Sequence, residues 1–263
     1  MNIDAAVELV ERQGSFFEVT RLHHILNNEP LTSEMMQGSL DGQREDGGWS
    51  PFWATDYSSL DATCFHLAEA EQMGISHTEP IVRRAIHFIE KRQRTNGSWE
   101  EEEQVASLAP PWAQPGDVSS SLYLTSNCGY WLAHLDGDIG QVVKASEFIR
   151  HHLTSDGRLP SFLQAHWLAG GLWHRLGWED ASESVLSYLG KRLTDMPTGN
   201  LAWLITSLRV AGIPTEHVLV SKAADLIEGM QNLDGRWVSD EGTEWEVQTT
   251  LDALRALRLC GRI

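Results

Sequence analysis

One acid stands nearly alone in an apolar stretch. In Ser59-Leu60-Asp61-Ala62-Thr63-Cys64, Asp61 falls in the first turn of a segment otherwise made of small and apolar residues. A carboxyl placed there either serves the helix start, as a cap or a dipole partner, or is held for chemistry. Asp117 opens Asp117-Val-Ser-Ser-Ser and reads first as an N-cap, second as the polar rim of a cavity. Glu244 and Glu246 flank Trp245 and supply either first-turn charges or a second acid or proton acceptor. His166 and His174 share one helical segment, where an imidazole facing a cavity would hydrogen-bond an acid and tune it, and one facing the core would simply be satisfied there.

Other chemistries lack their residues. No Asp-Asp-x-x-Asp run offers magnesium ligands for ionising a diphosphate, and no Gly-Lys-Ser/Thr loop cradles phosphates. No Ser-His-Asp set is recognisable. For zinc, the nearest pair is Asp61 and Cys64 at i, i+3, with no His in the last two apolar helical segments to complete a site. Cys64, Cys128 and Cys260 are odd in number and widely spaced, which suits reduced thiols better than a disulfide framework.

The elements that would position these groups are marked by a frame that occurs three times: Gln43-Arg-Glu-Asp-Gly-Gly-Trp49, Gln93-Arg-Thr-Asn-Gly-Ser-Trp99 and Gln231-Asn-Leu-Asp-Gly-Arg-Trp237. Asp-Gly or Asn-Gly supplies the left-handed backbone that ends a helix. The Gln can bond orphan groups at that end, and the Trp buries a ring against the next unit. A degenerate copy, Asp156-Gly157-Arg158-Leu159, keeps the glycine and loses the tryptophan.

Between the frames two kinds of helix alternate. Val82, Ala85, Ile86 and Ile89 mark a single buried stripe, as do Val220, Ala223, Ala224 and Ile227. Outer helices of this kind are expected near 32–42, 78–92, 139–153, 179–193 and 215–230. Segments 58–74, 118–135, 162–176, 200–211 and 246–260 are apolar nearly all round and are read as inner helices, with 5–27 as the first of six. The Glu100-Glu-Glu-Glu103 run reads as a solvated loop. The irregular stretch 100–116, with Pro110-Pro111-Trp112, has the length of a lid or binding loop.

The three frames resemble the Gln-Trp motif of the terpenoid cyclase and protein prenyltransferase superfamily. That resemblance implies an all-α fold, an (α/α)6 toroid of six inner and five to six outer helices, here as one domain over residues 1–263. Asp61 and Thr63 also match the acid motif of class II, squalene-hopene cyclase-like enzymes, although Ser59 and Ala62 depart from it. The resemblance implies an enzyme with no cofactor. It would carry out a metal-independent, acid-initiated cyclisation or isomerisation of an isoprenoid-like chain, with Asp61 as proton donor and Glu246 and Asp117 as reserve acids. Such chemistry needs a carboxyl kept neutral by burial and aromatic faces to stabilise a cation. Trp53, Tyr57, Trp112, Tyr123, Trp131, Trp167, Trp203 and Trp245, with His166, are the candidates to line the substrate cavity, against the ordinary use of aromatics as core. Two alternatives share the fold: a non-catalytic toroid that binds an apolar ligand or docks a protein, and a zinc-dependent prenyltransferase beta-like subunit.

Composition narrows the partners. A net charge of -17 argues against nucleic acid or an anionic membrane surface. No apolar run approaches the roughly 18 residues of a membrane span, so no integral insertion is expected. The start, Met-Asn-Ile-Asp-Ala-Ala-Val-Glu, lacks the basic and apolar regions of a secretion signal, and a cytoplasmic location is expected. The expected partner is an apolar isoprenoid-like small molecule, with a homodimer or partner subunit left open.

Overall fold

A computed structural model describes residues 1–27, 29 and 41–263. Among them every regular element is helical, with one isolated bridge, Trp49 to Ser59. The outer helix expected near 32–42, with Pro30 ahead of it, falls on residues of which 32–40 lie outside the described ones, as does Pro30 itself. The chain divides into two compact units. One comprises the described part of 40–188, the other the described residues before 40 together with 189–263.

The 40–188 unit alternates the two helix kinds as its pattern requires. Helices α3 (Leu60–Gln72), α5 (Val118–His134) and α7 (Leu163–Arg175) alternate with α4 (Pro80–Glu90), α6 (Ile139–His151) and α8 (Glu179–Gly190). Helix α5 is buried without a break from Ser120 to Leu132, and α7 from Ala165 to Trp173. By contrast α4 buries one stripe, Val82, Ala85, Ile86, Phe88 and Ile89, as an amphipathic surface helix does. The three inner helices run parallel. Asp61 meets Tyr123 and Cys64 meets Cys128, while Ser161 reaches Ser119 and Leu172 lies against Gly129. Their N-terminal ends therefore gather on one side, where three helix dipoles favour negative charge.

The other unit holds α1 (Ile3–Gln13), α2 (Phe16–Asn27), α9 (Thr198–Val210), α10 (Val218–Gly229) and α11 (Glu246–Leu259). Here one expectation is corrected, because 5–27 is two helices. Gly14 is extended and leaves no room for a side chain over Val10 O. Ser15 and Glu18 then form a capping box, Ser15 N–H donating to Glu18 Oε2 at 2.7 Å and Glu18 N–H to Ser15 Oγ at 3.3 Å, which starts α2 afresh. Buried Arg21 ties α2 to α11 through Gln248 at 2.8 Å and Asp252 at 3.3 Å.

The repeated frame works as one device in both units. Gln43, Gln93 and Gln231 each donate to the carbonyl of the frame glycine four residues on and to a backbone carbonyl of the next hairpin, Ile81, Gln141 and Asn2 respectively. The backbone N–H of Trp49, Trp99 and Trp237 donates to a threonine on the following inner helix: Thr63, Thr125 and Thr250. The indole N–H of Trp99 and Trp237 reaches Ile89 O and Ile227 O. Gly97, at φ +90°, lies so close to α6 that a Cβ would stand 2.5 Å from Lys144 O, and Gly235, at φ +89°, would meet Ala6 N of α1 at the same distance. Only glycine satisfies both the left-handed backbone and the contact. Since Gly235 and Gln231 treat α1 as Gly97 and Gln93 treat α6, α1 takes the outer role and α2 the inner one.

Candidate active site

Helix α3 begins with its backbone donors fully accounted for. Ser59 is the N-cap, its Oγ accepting from Ala62 N–H at 3.2 Å. The next donors go to a residue 40 positions away: Leu60 N–H donates to Glu101 Oε2 at 3.2 Å and Asp61 N–H to Glu101 Oε1 at 3.3 Å. Two hydroxyls complete that carboxyl's shell, Ser59 Oγ donating at 2.7 Å and Tyr57 OH at 2.9 Å. Tyr57 OH in turn accepts from Glu102 N–H at 3.1 Å. The acidic run is thus not wholly solvated as expected. Glu102 and Glu103 are exposed, but Glu101 is 1% exposed and buried against the start of α3.

Asp61 is left without a capping task, because the groups it would cap are taken. Its Oδ1 accepts from Tyr123 OH on α5 at 2.8 Å and its Oδ2 from Trp112 Nε1 at 2.9 Å. Trp112 arrives on a 3-10 turn, Pro111–Ala113, held to α5 by Ser120 Oγ, which donates to Pro111 O at 2.6 Å. Asp61 is half-buried. Burial is the largest influence on its carboxyl and raises it above the ordinary range, while the bonds from Tyr123 and Trp112 pull it back. Burial likewise pushes the Tyr123 and Tyr57 phenols and the Cys128 thiol up, so all three stay neutral at ordinary pH. Cys64 and Cys128 lie one turn further down the same two helices, sulfur to sulfur 3.8 Å.

The remaining candidates divide. Asp117 is the N-cap of α5, accepting from Ser120 N–H at 2.9 Å, with Ser120 Oγ 3.0 Å away. It sits on the rim of an open groove of about 740 Å³ between Ala109, Pro111, Gln114 and Gly116 on one side and Phe162 on the other. Phe162 also packs its ring edge-on to Tyr123 at 6.2 Å, which joins the groove wall to the acid's neighbour. Trp53 packs with Ala54, Tyr57 and Val105, its buried indole N–H without a hydrogen-bond partner among the described residues. Trp167 is fully buried core. Trp131 lies eight residues beyond Tyr123 on α5, edge-on to Tyr130 and His134, roughly 12 Å along the helix.

His166 replaces the threonine of the other repeats. Its Nε2 accepts Leu159 N–H at 3.0 Å and its Nδ1 donates to Phe162 O at 3.0 Å, with the ring stacked on Tyr188. It serves the degenerate frame. His174 pairs with Glu179 at the other end of α7. Glu246, Trp203 and Trp245 belong to the other unit, where Glu246 is ion-paired with Arg236 at 2.8 Å and Trp245 is half exposed. Among the described residues no three His, Cys, Asp or Glu side chains stand close enough to share a metal ion. No helix among them is long and apolar enough to cross a membrane.

Sequence reasoning missed Glu101. Its neighbours offer no period to read it from, since Ser98 and Trp99 are buried side by side just before it.

Comparison with known proteins bears on this geometry. The chain is 21% identical over 231 residues, 81% of its length, to squalene–hopene cyclase of Zymomonas mobilis, of which it spans 30%. Among solved structures, the type II terpene cyclase MstE from Scytonema, in complex with geranylgeranyl dihydroxybenzoate as substrate, superposes with a TM-score of 0.64 at 15% identity, covering 99% of this chain and 96% of that one. An Asp→Ala variant of MstE, in complex with merosterolic acid A as product, gives the same values. A protein from Actinoplanes also superposes at 0.64, 15% identical over 99% of this chain and all of that one. No family model matches the chain. The fold is therefore the all-α fold of the type II terpene cyclases, which the Gln-Trp frames imply.

Proposed function

We propose that this chain is a class II terpene cyclase-like enzyme that starts a metal-independent cyclisation or isomerisation by protonating an apolar, isoprenoid-like substrate from Asp61. One observation carries the reading. Asp61 opens an inner helix whose free N–H groups are bound by Ser59 and Glu101, so among the described residues its carboxyl is held by Tyr123 and Trp112, and it is pushed up by burial. A carboxylic acid kept neutral near working pH is what protonation of a carbon-carbon double bond or an epoxide demands.

The neighbours fit that task. Tyr123 and Trp112 orient the carboxyl and favour the carboxylate left after transfer, which lowers the cost of giving up the proton. The indole of Trp112 and the edge-on pair of Tyr123 and Phe162 offer aromatic faces to a developing carbocation. The substrate and product held in the MstE complexes support an isoprenoid chain as the class to test first.

The test is incubation of the protein and its Asp61→Asn variant with neutral and acidic-headed polyprenyl compounds, without added metal, with products identified by mass spectrometry. Cyclised or isomerised product from the parent chain and none from the variant supports the reading. Equal ligand binding by both without turnover by either replaces it with the non-catalytic binder.

A further inference from the structure

We propose that Glu101 is a positioning residue for the acid: by occupying the N-terminal donors of α3 with a buried carboxylate, it cancels the pull of the helix start on Asp61 and keeps Asp61 protonated to higher pH. Its bearing on turnover rests on the reading of Asp61 as proton donor. Its bearing on the Asp61 proton does not.

A carboxyl in the first turn of a helix is ordinarily a stronger acid, because about half a positive charge resides at that end on the unpaired N–H groups. Asp61 occupies that position, which works against a proton donor. Glu101 meets the source of the effect directly. It takes the N–H groups of Leu60 and Asp61 on its two oxygens, with the hydroxyls of Ser59 and Tyr57 completing four donors. The helix end is thereby answered by a full negative charge.

The groups facing Asp61 come from three directions. Its own helix supplies Cys64, α5 supplies Tyr123 and Cys128, and the loop supplies Trp112 to the carboxyl and Glu101 to the backbone N–H of Asp61, with Tyr57 and Glu102 behind Glu101. With both phenols and the Cys128 thiol neutral, the two carboxyls compete for the cluster's negative charge. Burial raises both. Four donors favour ionised Glu101 against two for Asp61, so Glu101 loses its proton first and its charge then opposes ionisation of Asp61.

The experiment follows carboxyl carbons by NMR in protein carrying 13C at the Asp and Glu side chains, with Asp61→Asn and Glu101→Gln for assignment. In the parent chain Glu101 is expected to titrate below Asp61. In Glu101→Gln the Asp61 titration is expected to move down by about one to two pH units, with the alkaline limb of the rate profile moving down equally. An Asp61 titration that stays put or rises in Glu101→Gln overturns the proposal, as does Glu101 titrating above Asp61 in the parent chain. The titration order is read in the parent chain and survives a failure of Glu101→Gln to fold, because loss of the Asp61 signal in Asp61→Asn identifies that residue and the glutamate titration that changes with it identifies Glu101. If the Asp61 titration moves as expected but the parent chain turns over no substrate, the proposed function fails and the role of Glu101 stands.

Discussion

Two inner helices of the 40–188 unit each begin with an aspartate, and the structure uses them differently. At α5 the start is local: Asp117 is itself the cap and spends its carboxyl on Ser120 N–H. At α3 a serine caps, a glutamate from 40 residues away covers the next two donors, and Asp61 turns to Tyr123 and Trp112 instead. The residue type and the helix end are the same. What differs is position and prior occupation: Asp117 is the N-cap itself, whereas Asp61 stands two residues inside a helix whose first donors Ser59 and Glu101 have already met.

The sharpest break of this comparison is to neutralise each aspartate. Asp61→Asn is expected to lower turnover by about 10³-fold, in the range of lost general-acid catalysis, measured as product formed per enzyme. Next in size, Tyr123→Phe removes a hydrogen bond that favours ionised Asp61, so the acid weakens. The rate on the acidic plateau should fall roughly tenfold and the alkaline limb move up in pH, opposite to Glu101→Gln. Asp117→Ala should behave as the loss of a cap, costing about 1 kcal/mol in thermal or denaturant unfolding and leaving turnover within a few-fold. A turnover loss at Asp117 as large as at Asp61 would erase the distinction.

The smallest effect concerns stability and pH. The folded-state carboxyl of Asp61 lies above its ordinary value of 3.8. The folded protein therefore holds the extra proton, and stability falls as pH rises from that value through the folded-state one. Asp61→Asn is expected to remove this decline, so that the variant matches the parent in acid and is slightly more stable at neutral pH, as followed by melting across a pH series.

The fold was legible because its signals are local. Each frame carries its own glycine, glutamine and tryptophan, and the one-stripe outer helices differ from all-apolar inner ones over a dozen residues. The split at Gly14 was readable too, in Ser15-Phe-Phe-Glu18, but the apolar pattern continuing across it masked the capping box. The site was legible only at Asp61 and its aromatic neighbours. Glu101 escaped because four consecutive acids look solvated, and nothing nearby in sequence reveals that its four donors wait at 57–61. His166 was legible as an inward histidine, but not as the stand-in for a threonine. That role depends on where Leu159 N–H points. Asp117 was rightly read first as a cap, since its partner is three residues away.

The clamp also fixes where the chain can be lengthened. From Gln to Trp the three full frames keep one length of seven residues, yet the distance from the tryptophan to the threonine that receives its N–H is 14 residues in the first repeat, 13 in the last and 26 in the second. The surplus in the second repeat is the segment that delivers Glu101 and Trp112. The frame thus acts as a socket with constant pins and an interchangeable insert, and a designer wishing to graft a different loop onto this scaffold would cut between Trp99 and Thr125.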